Sequence, residues 1–263
     1  MTPVALSPAD LAVAAMLVVA SAALSLVLSL GVHRPLLVSA GRLVIQLVLV
    51  GLVLRVIFAS ASMWVTFGVI AIMLAAASRE MGARSPRRLK GLWHLGIGTL
   101  SILGATLPVA LIVLLTALKP TPWYDARHAI PLVGIILGTV MNGGSLALNT
   151  ILSSVARDRL AIEARLALGA TRQEAFRPIL RQAVRTGVTP TVNQMAAAGI
   201  ITLPGIMTGQ VLAGMDPLDA ARYQILLLLV LSTAGFLGAV IASYAALHRL
   251  TDHRHRLRLD ALV

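Results

Sequence analysis

The sequence contains no cysteine, which excludes disulfide bonds, thiolate catalysis and cysteine-ligated metal sites. Charge is scarce too: only 12% of the 263 residues are charged, whereas soluble domains carry about 25%. This shortage excludes a water-soluble globule, and the hydrophobic fraction of 58% excludes disorder. The mean hydropathy of +0.89 and the 21 glycines are typical of packed membrane helices. We therefore predict an all-α integral membrane protein.

Negative charge is the scarcer sign, with 10 Asp and Glu against 22 Lys and Arg, and the formal net charge is +12. In a soluble protein this balance would first suggest a nucleic-acid partner. Here nearly all of the charges lie in short connections between apolar stretches, as in helical membrane proteins. We therefore expect the chain to reside in a lipid bilayer and to bind no nucleic acid.

Seven stretches are apolar enough to cross a bilayer, which takes roughly 20 residues. The first is expected to be a retained span and not a signal peptide, because Asp10 precedes it in place of a basic segment. Together they make one transmembrane domain, residues 1–263. The predicted spans are about Leu11–Leu30, Leu36–Phe58, Met63–Ala77, Leu92–Leu118, Ile130–Val155, Val188–Leu212 and Tyr223–Leu247.

The basic connections give an orientation. The loop 79–90, the stretch 157–185 and the tail after Leu247 are rich in arginine. The N-terminus and the connections 58–63, 119–127 and 214–222 are nearly neutral or slightly acidic. Basic connections lie on the cytoplasmic side. Seven spans then place the N-terminus outside and the C-terminus in the cytoplasm. We therefore expect a multi-pass protein of the cytoplasmic (inner) membrane.

A polar insert at about residues 157–187 is predicted to form two short helices joined at a glycine. Leu160, Ala164, Ala167 and Leu168 share one helix face, and Gly169 is a natural C-terminal stop. Thr171 and Glu174 have the spacing of a capping box, and Pro178 is expected to kink or break the second helix. Such an insert either lies flat on the membrane or docks a soluble partner.

The insert resembles the cytoplasmic loop of ABC-transporter permeases, in which Glu-Ala-Ala is followed by Gly and Ile at fixed spacing. Glu163, Ala164, Gly169 and Ile179 match, whereas Arg165 replaces the second Ala of that motif. The resemblance implies that the insert couples the permease to an ATPase. The residues so implicated are Glu163, Ala164, Gly169, Ala170, Thr171, Glu174, Pro178 and Ile179.

Residues 190–225 narrow the resemblance to the iron-export ABC permease family, which includes plant aluminium-tolerance permeases. The segments that match are PTVNQM at 190–195, LPGIMTGQ at 203–210, Ala213-Gly214 and Tyr223-Gln224-Ile225, together with Arg42 and Gln46 in the second span. The resemblance implies iron efflux by a homodimer that binds two copies of a separate ATPase subunit.

The sequence around its lysines excludes ATP hydrolysis by this chain itself. A P-loop requires Gly-Lys-Ser/Thr, and the two lysines, Lys90 and Lys119, follow Leu89 and Leu118. The chain is therefore expected to be no enzyme and to hold no cofactor, with ATP and Mg²⁺ bound by the partner subunit.

A substrate pathway is predicted along the sixth span, where polar residues accompany prolines and glycines. Pro204-Gly205 is expected to break or bend this helix, as in transporter binding sites. The alternative is that the small and polar residues of this span only pack neighbouring helices together. In the fifth span, close helix packing or a dimer seam is expected around Asn142. The pathway candidates are Arg42, Gln46, Asn142, Asn193, Gln194, Pro204, Gly205, Met207, Thr208, Gln210 and Asp216.

Ligands for iron are few in this sequence. No Asp or Glu falls within a predicted span, and only Asp216, Asp219 and His94 offer the ligands that Fe²⁺ prefers. The metal ligands therefore stay unassigned, and a metal chelate or another small solute is an alternative cargo. Two other function classes remain open: an ion-gradient-driven secondary transporter, which the missing carboxylates disfavour, and a non-transporting membrane scaffold.

Overall fold

The computed structural model describes residues 7–60, 62–83, 87, 89–252 and 257–258. Over these residues the chain is helical and contains no β-strand, which confirms the predicted all-α class. The helices are α1 (Pro8–Val27), α2 (His33–Ser60), α3 (Met63–Ala83), α4 (Trp93–Val113, extended by a π-helical turn over Leu114–Leu118), α5 (Ala126–Arg157), α6 (Arg159–Ala167), α7 (Arg172–Ala197), α8 (Gly205–Leu212) and α9 (Pro217–Leu250).

Six helices among the described residues are long and apolar enough to cross a membrane: α1, α2, α3, α4 with its π-helical turn, α5 and α9. They correspond to six of the seven predicted spans. The remaining one, Val188–Leu212, is not a continuous helix, because α7 ends at Ala197 and α8 begins at Gly205. Arg84, Arg88, Arg254 and Arg256, which contribute to the predicted orientation, lie outside the described residues.

Helices α1 and α2 belong to one compact unit, residues 1–62 with 212–214. A tight turn joins them, in which Ser29 and Gly31 both have positive φ angles, of 53° and 72°. Ser25 holds this turn, because its carbonyl accepts from the Leu30 N–H (2.9 Å) and its hydroxyl from the Val32 N–H (3.2 Å). The apolar side chains of both helices are largely exposed, as expected of helices that face lipid.

The second unit contains α3 to α7, most of α8, and α9. Its buried core runs along α4, α5, α7 and α9, with Ile102, Ile136, Leu148, Ile151, Leu152 and Leu227 among the fully buried side chains. Helices α3 and α4 run in opposite directions, since Gly98 lies beside Ser78 and His94 beside Gly82. A Cβ on Gly98 of α4 would lie 2.8 Å from the Ser78 carbonyl oxygen of α3, whereas Gly82 contacts His94.

A glycine seam, formed by Gly143, Gly187, Gly235 and Gly238, brings α5, α7 and α9 together. A Cβ on Gly187 would lie 2.6 Å from the Gly143 carbonyl oxygen and 2.8 Å from Ala239 Cβ, and one on Gly238 would lie 2.7 Å from Val140 Cγ1. No larger residue fits at these distances, so the helix backbones approach closely, as in small-residue membrane interfaces. The close helix packing predicted for the fifth span is therefore present, between α5 and the helices α7 and α9.

Helix α7 differs from the prediction for the second helix of the insert. That helix is not short but spans 26 residues, and it does not break at Pro178. Pro178 is exposed and has no N–H. The carbonyl four residues earlier, which therefore lacks a helical partner, lies on the same exposed side of the helix. The preceding turn is therefore able to stay helical while Ala175, Phe176, Ile179 and Leu180 bury the opposite side.

Candidate functional site

The turn between α6 and α7 is fixed by backbone geometry. Gly169 adopts φ +92°, the left-handed conformation that glycine takes at low cost. The Gly169 N–H donates to the Leu166 carbonyl and the Ala170 N–H to the Arg165 carbonyl, both at 3.1 Å. This pair of bonds is a Schellman motif, so the predicted glycine stop is confirmed.

The start of α7 is capped as predicted. The Thr171 hydroxyl accepts from the Glu174 N–H (3.3 Å), and the Glu174 carboxylate accepts from the Thr171 N–H (2.8 Å). The Glu174 carboxylate accepts from the Thr171 N–H and also from the Thr171 hydroxyl. These two hydrogen bonds, the backbone one above all, lower the pKa of Glu174. Glu174 lies in the first turn of α7, outside the six apolar helices. Arg165 adds a link from α6, donating to the Ala175 carbonyl at 3.3 Å.

Helix α6 has two apolar sides. Ile162 (1% exposed) faces the core, and Leu166 packs against it. The face predicted from the sequence, which carries Leu160 and Leu168, is 70% and 88% exposed at those two positions. Glu163 and Ala164 are exposed on the same helix. A short helix fixed at its C-terminal end thus presents an unburied leucine face.

The predicted interruption of the sixth span is confirmed, but its position and cause differ from the prediction. Helix α7 ends at Ala197, and Gly199 in the turn that follows has a φ of +83° and donates its N–H to the Thr202 carbonyl (2.9 Å). Pro204 stands just before α8, where a missing N–H breaks no helical bond. The break therefore begins at Ala198 and includes the left-handed Gly199, whereas Pro204 precedes the next helix and does not kink the first.

The pathway candidates of the second unit are spread over α5, α7, α8 and the start of α9. Asn193 and Gln194 are exposed near the end of α7, and Met207, Thr208 and Gln210 are half-buried in α8. Thr208 donates back to the Pro204 carbonyl (3.2 Å), and Asp216 caps α9 by accepting from the Leu218 N–H (2.9 Å). Asn142 is exposed on α5, and Arg42 and Gln46 are exposed on α2, in the other unit.

The structure offers little for a bare metal ion. His94 is buried, its Nδ1 accepts from the Leu89 N–H (3.3 Å), and its Nε2 lies 2.7 Å from the Gly82 carbonyl oxygen. Both ring nitrogens are therefore occupied in joining α3 to α4. Within the described part of the chain, no three His, Asp or Glu side chains cluster as metal ligands would.

The sequence analysis missed an open groove of about 1050 Å³ between α7 and α9. We call it the arginine groove, because Arg177, Arg181 and Arg185 recur along one edge at intervals of four residues. That spacing is visible in the sequence, where these arginines counted only as connection charges. The other lining residues are Gln173, Glu174, Leu180, Val184, Val188, Thr189, Val192, Asn193, Phe236, Val240 and Tyr244.

Comparison with known proteins identifies relatives along nearly the whole chain. The model of the uncharacterised protein family UPF0014 matches residues 8–251. A UPF0014 membrane protein of Synechocystis is 39% identical over 84% of each chain. The probable iron export permease protein FetB of Escherichia coli is 31% identical over 96% of this chain and 95% of its own. ALUMINUM SENSITIVE 3 of Arabidopsis thaliana is 27% identical over 89% of this chain and 83% of its own. No solved structure matches the chain.

Proposed function

Because the chain belongs to the uncharacterised protein family UPF0014, we propose that it is the membrane permease subunit of an ABC exporter that removes iron from the cytoplasm. Similarity to a protein named as an iron export permease, extending over 96% of the chain, supports the cargo and the direction. The iron is a substrate in this proposal and not a resident cofactor.

The observation that carries the proposal is the exposed leucine face of α6. A soluble ATPase subunit has to transmit its motion to the membrane part through a rigid contact. The Schellman turn at Gly169 and the capping box at Thr171 restrict α6 relative to α7, and Phe176, fully buried, ties that unit to the core. Leu160 and Leu168 then supply apolar area for docking.

The complete transporter in this proposal has two copies of the chain and two ATPase subunits. ATP and Mg²⁺ are bound by the ATPase, since neither lysine of this chain has the context of a P-loop. The chain lies in the inner membrane with its N-terminus outside and its C-terminus in the cytoplasm. The α6–α7 turn is then on the cytoplasmic side, where the ATPase is found.

Co-purification tests the docking. We expect the doubly substituted Leu160→Glu, Leu168→Glu chain to retain its fold but to capture less of a candidate ABC ATPase from the same genome, by about tenfold. Leu218→Glu, at an exposed leucine (61%) near the start of α9, is the matched control. Undiminished capture by the double variant would remove α6 as the docking element. A chain that captures no ATPase but transports on an ion gradient would favour the secondary transporter.

Cysteine labelling tests the orientation. The chain has no cysteine of its own, so each introduced thiol is the only one. A cysteine at Ser85, which lies outside the described residues, should react only from the cytoplasmic side, and one at Thr121 only from outside. Reaction of both from the same side would contradict the proposed topology.

A further inference from the structure

The arginine groove combines positive charge with a position beside two helices that pack closely. Among the described residues, Arg181 and Arg185 form no ion pair. Of the described residues that line the groove, Glu174 is the one carboxylate, and it is engaged by Thr171 at the groove's edge. The groove is therefore strongly positive over the turn that includes Arg181 and Arg185.

The glycine seam shows how far Arg185 lies from the charged end of the helix bundle. Gly187, two residues after Arg185 in α7, contacts Ala147 of α5 and Ala239 of α9. Ala147 lies ten residues before the charged end of α5 at Arg157, so Arg185 lies roughly 12 Å inside that end at about 1.5 Å per residue. Arg181 lies about one turn nearer the end. Arg185 therefore stands beside the uncharged stretch of an apolar helix.

An exposed arginine at this depth is unfavourable in contact with lipid. Ionisable residues within membrane segments face water-filled cavities or partners and mark the routes of substrates and ions. The groove supplies such a cavity, and hydroxyl and amide groups of Thr189 and Asn193 continue it beyond Arg185. Arginine is also the side chain whose planar fork best matches phosphate and carboxylate groups.

We propose that Arg181 and Arg185 bind the phosphate or carboxylate group of an anionic solute in this groove, and that the groove admits this solute to the transport pathway. The inference rests on the proposed transport function and specifies its cargo as an anion. Iron would then travel as an anionic chelate, because a bare cation is repelled by Arg181 and Arg185. The carboxylates of such a chelate would supply the metal ligands that the described residues lack.

Charge-selective thiol labelling tests the site. A single cysteine replaces Val188, which lines the groove three residues from Arg185, in protein reconstituted with phosphatidylcholine. Its reaction rates are measured with sulfonatoethyl and trimethylammonioethyl methanethiosulfonate, which carry opposite charges. The anionic-to-cationic rate ratio should exceed that of a Thr121→Cys reference by about tenfold. Inorganic phosphate and citrate should slow the anionic reagent at Val188→Cys only.

Matched variants assign the effect to the arginines. Arg181→Gln with Arg185→Gln should return the rate ratio to the reference value and abolish protection by phosphate. Arg181→Lys with Arg185→Lys should keep the ratio and weaken the protection, because lysine retains charge but not the planar fork. A ratio at Val188→Cys equal to the reference, or one that the glutamine variant leaves unchanged, would overturn the proposal. Failure of both reagents to react would also overturn it, since protein would then fill the groove.

Vesicles that contain phosphatidylglycerol separate a soluble anion from a lipid headgroup. If phosphate and citrate still protect in these vesicles, the site takes a soluble anion, as proposed. Loss of both the anionic preference and the protection would assign the site to headgroups and overturn a role in admitting cargo. The labelling needs neither ATPase nor transport, so its outcome is independent of whether the ATPase docks on α6.

Discussion

Helices α7 and α9 both pack on α5 through the glycine seam, yet they differ in what they expose. Between Arg222 and His248, α9 has no charged residue, whereas α7 from its first residue to Arg185 carries Arg172, Glu174, Arg177, Arg181 and Arg185. The packed sides of the two helices are alike in carrying glycine. Gly187 of α7 lies against Gly143 and Ala239, and Gly235 and Gly238 of α9 lie against Thr139 and Val140. The charge on α7 is therefore not needed for packing, and it lies on the side that forms the groove.

This contrast separates two kinds of substitution. A change on the packed side of α7 should lower the stability of the whole helix bundle, whereas a change on the groove side should alter function in a folded protein. The loop between α6 and α7 and the break after α7 fall in between, because backbone conformation and not packing determines them.

Gly187→Val should have the largest effect. The new Cβ would lie 2.6 Å from the Gly143 carbonyl oxygen and 2.8 Å from Ala239 Cβ, so α7 has to move away from both neighbours. We expect a loss of about 3 kcal/mol in the free energy of unfolding, at the upper end of overpacking. The measurement is thermal unfolding of detergent-purified protein. Gly209→Ala in α8, where a Cβ meets nothing within 4 Å, should be neutral, and equal losses for the two variants would contradict the seam.

Gly169→Val should have the next largest effect, and on coupling more than on stability. A β-branched residue at φ +92° strains the backbone by about 1–3 kcal/mol, while a Cβ there meets no neighbouring atom within 4 Å. The strain should loosen the Schellman turn and lower ATPase co-purification several-fold while membrane insertion persists. Gly169→Asn, which tolerates the left-handed conformation better, should retain most of the binding. A loss as large for asparagine as for valine would exclude backbone conformation as the cause.

Gly199→Val should lower transport per folded complex more than Pro204→Ala does. Gly199 holds φ +83° in the turn after α7, whereas Pro204 stands just before α8 and interrupts no helix. Iron efflux normalised to folded complex is the measurement. The opposite ranking would mean that Pro204 makes the break, and unchanged efflux in both variants would remove this segment from the pathway.

Much of the fold could be predicted from the sequence because the bilayer imposes simple rules on length and polarity. Six predicted spans coincide with apolar helices, and Gly169, Thr171 and Glu174 form the predicted stop and cap. These features depend on local spacing alone. The predicted interruption of the sixth span is present as well, although it begins at Ala198 and not at Pro204-Gly205.

The polar part of the chain was harder to predict, because tertiary contacts override local signals there. Pro178 was expected to kink or break its helix, but an exposed proline with four buried neighbours leaves α7 intact. The arginine groove depends on α9 lying alongside α7. Only the contacts of Gly187 and Gly235 show which side of α7 stays open. Such contacts between distant parts of the chain cannot be derived from local sequence spacing.

The smallest expected effect concerns pH and the cap at the start of α7. The pKa of Glu174 is below its ordinary value of 4.5 because its carboxylate accepts hydrogen bonds from the Thr171 N–H and hydroxyl. A lowered folded-state pKa means that the stabilisation is fully present above pH 4.5 and is lost as pH falls through the lower value. Thr171→Ala should cost about 1 kcal/mol near neutral pH, as for other N-caps, and this difference should shrink on acidification. Thermal unfolding from pH 6 to about pH 3 measures it, with Thr150→Ala, whose exposed hydroxyl donates only to its own helix, as the control. A loss for Thr171→Ala that stays constant down to the lowest pH would exclude the carboxylate as the origin of the effect.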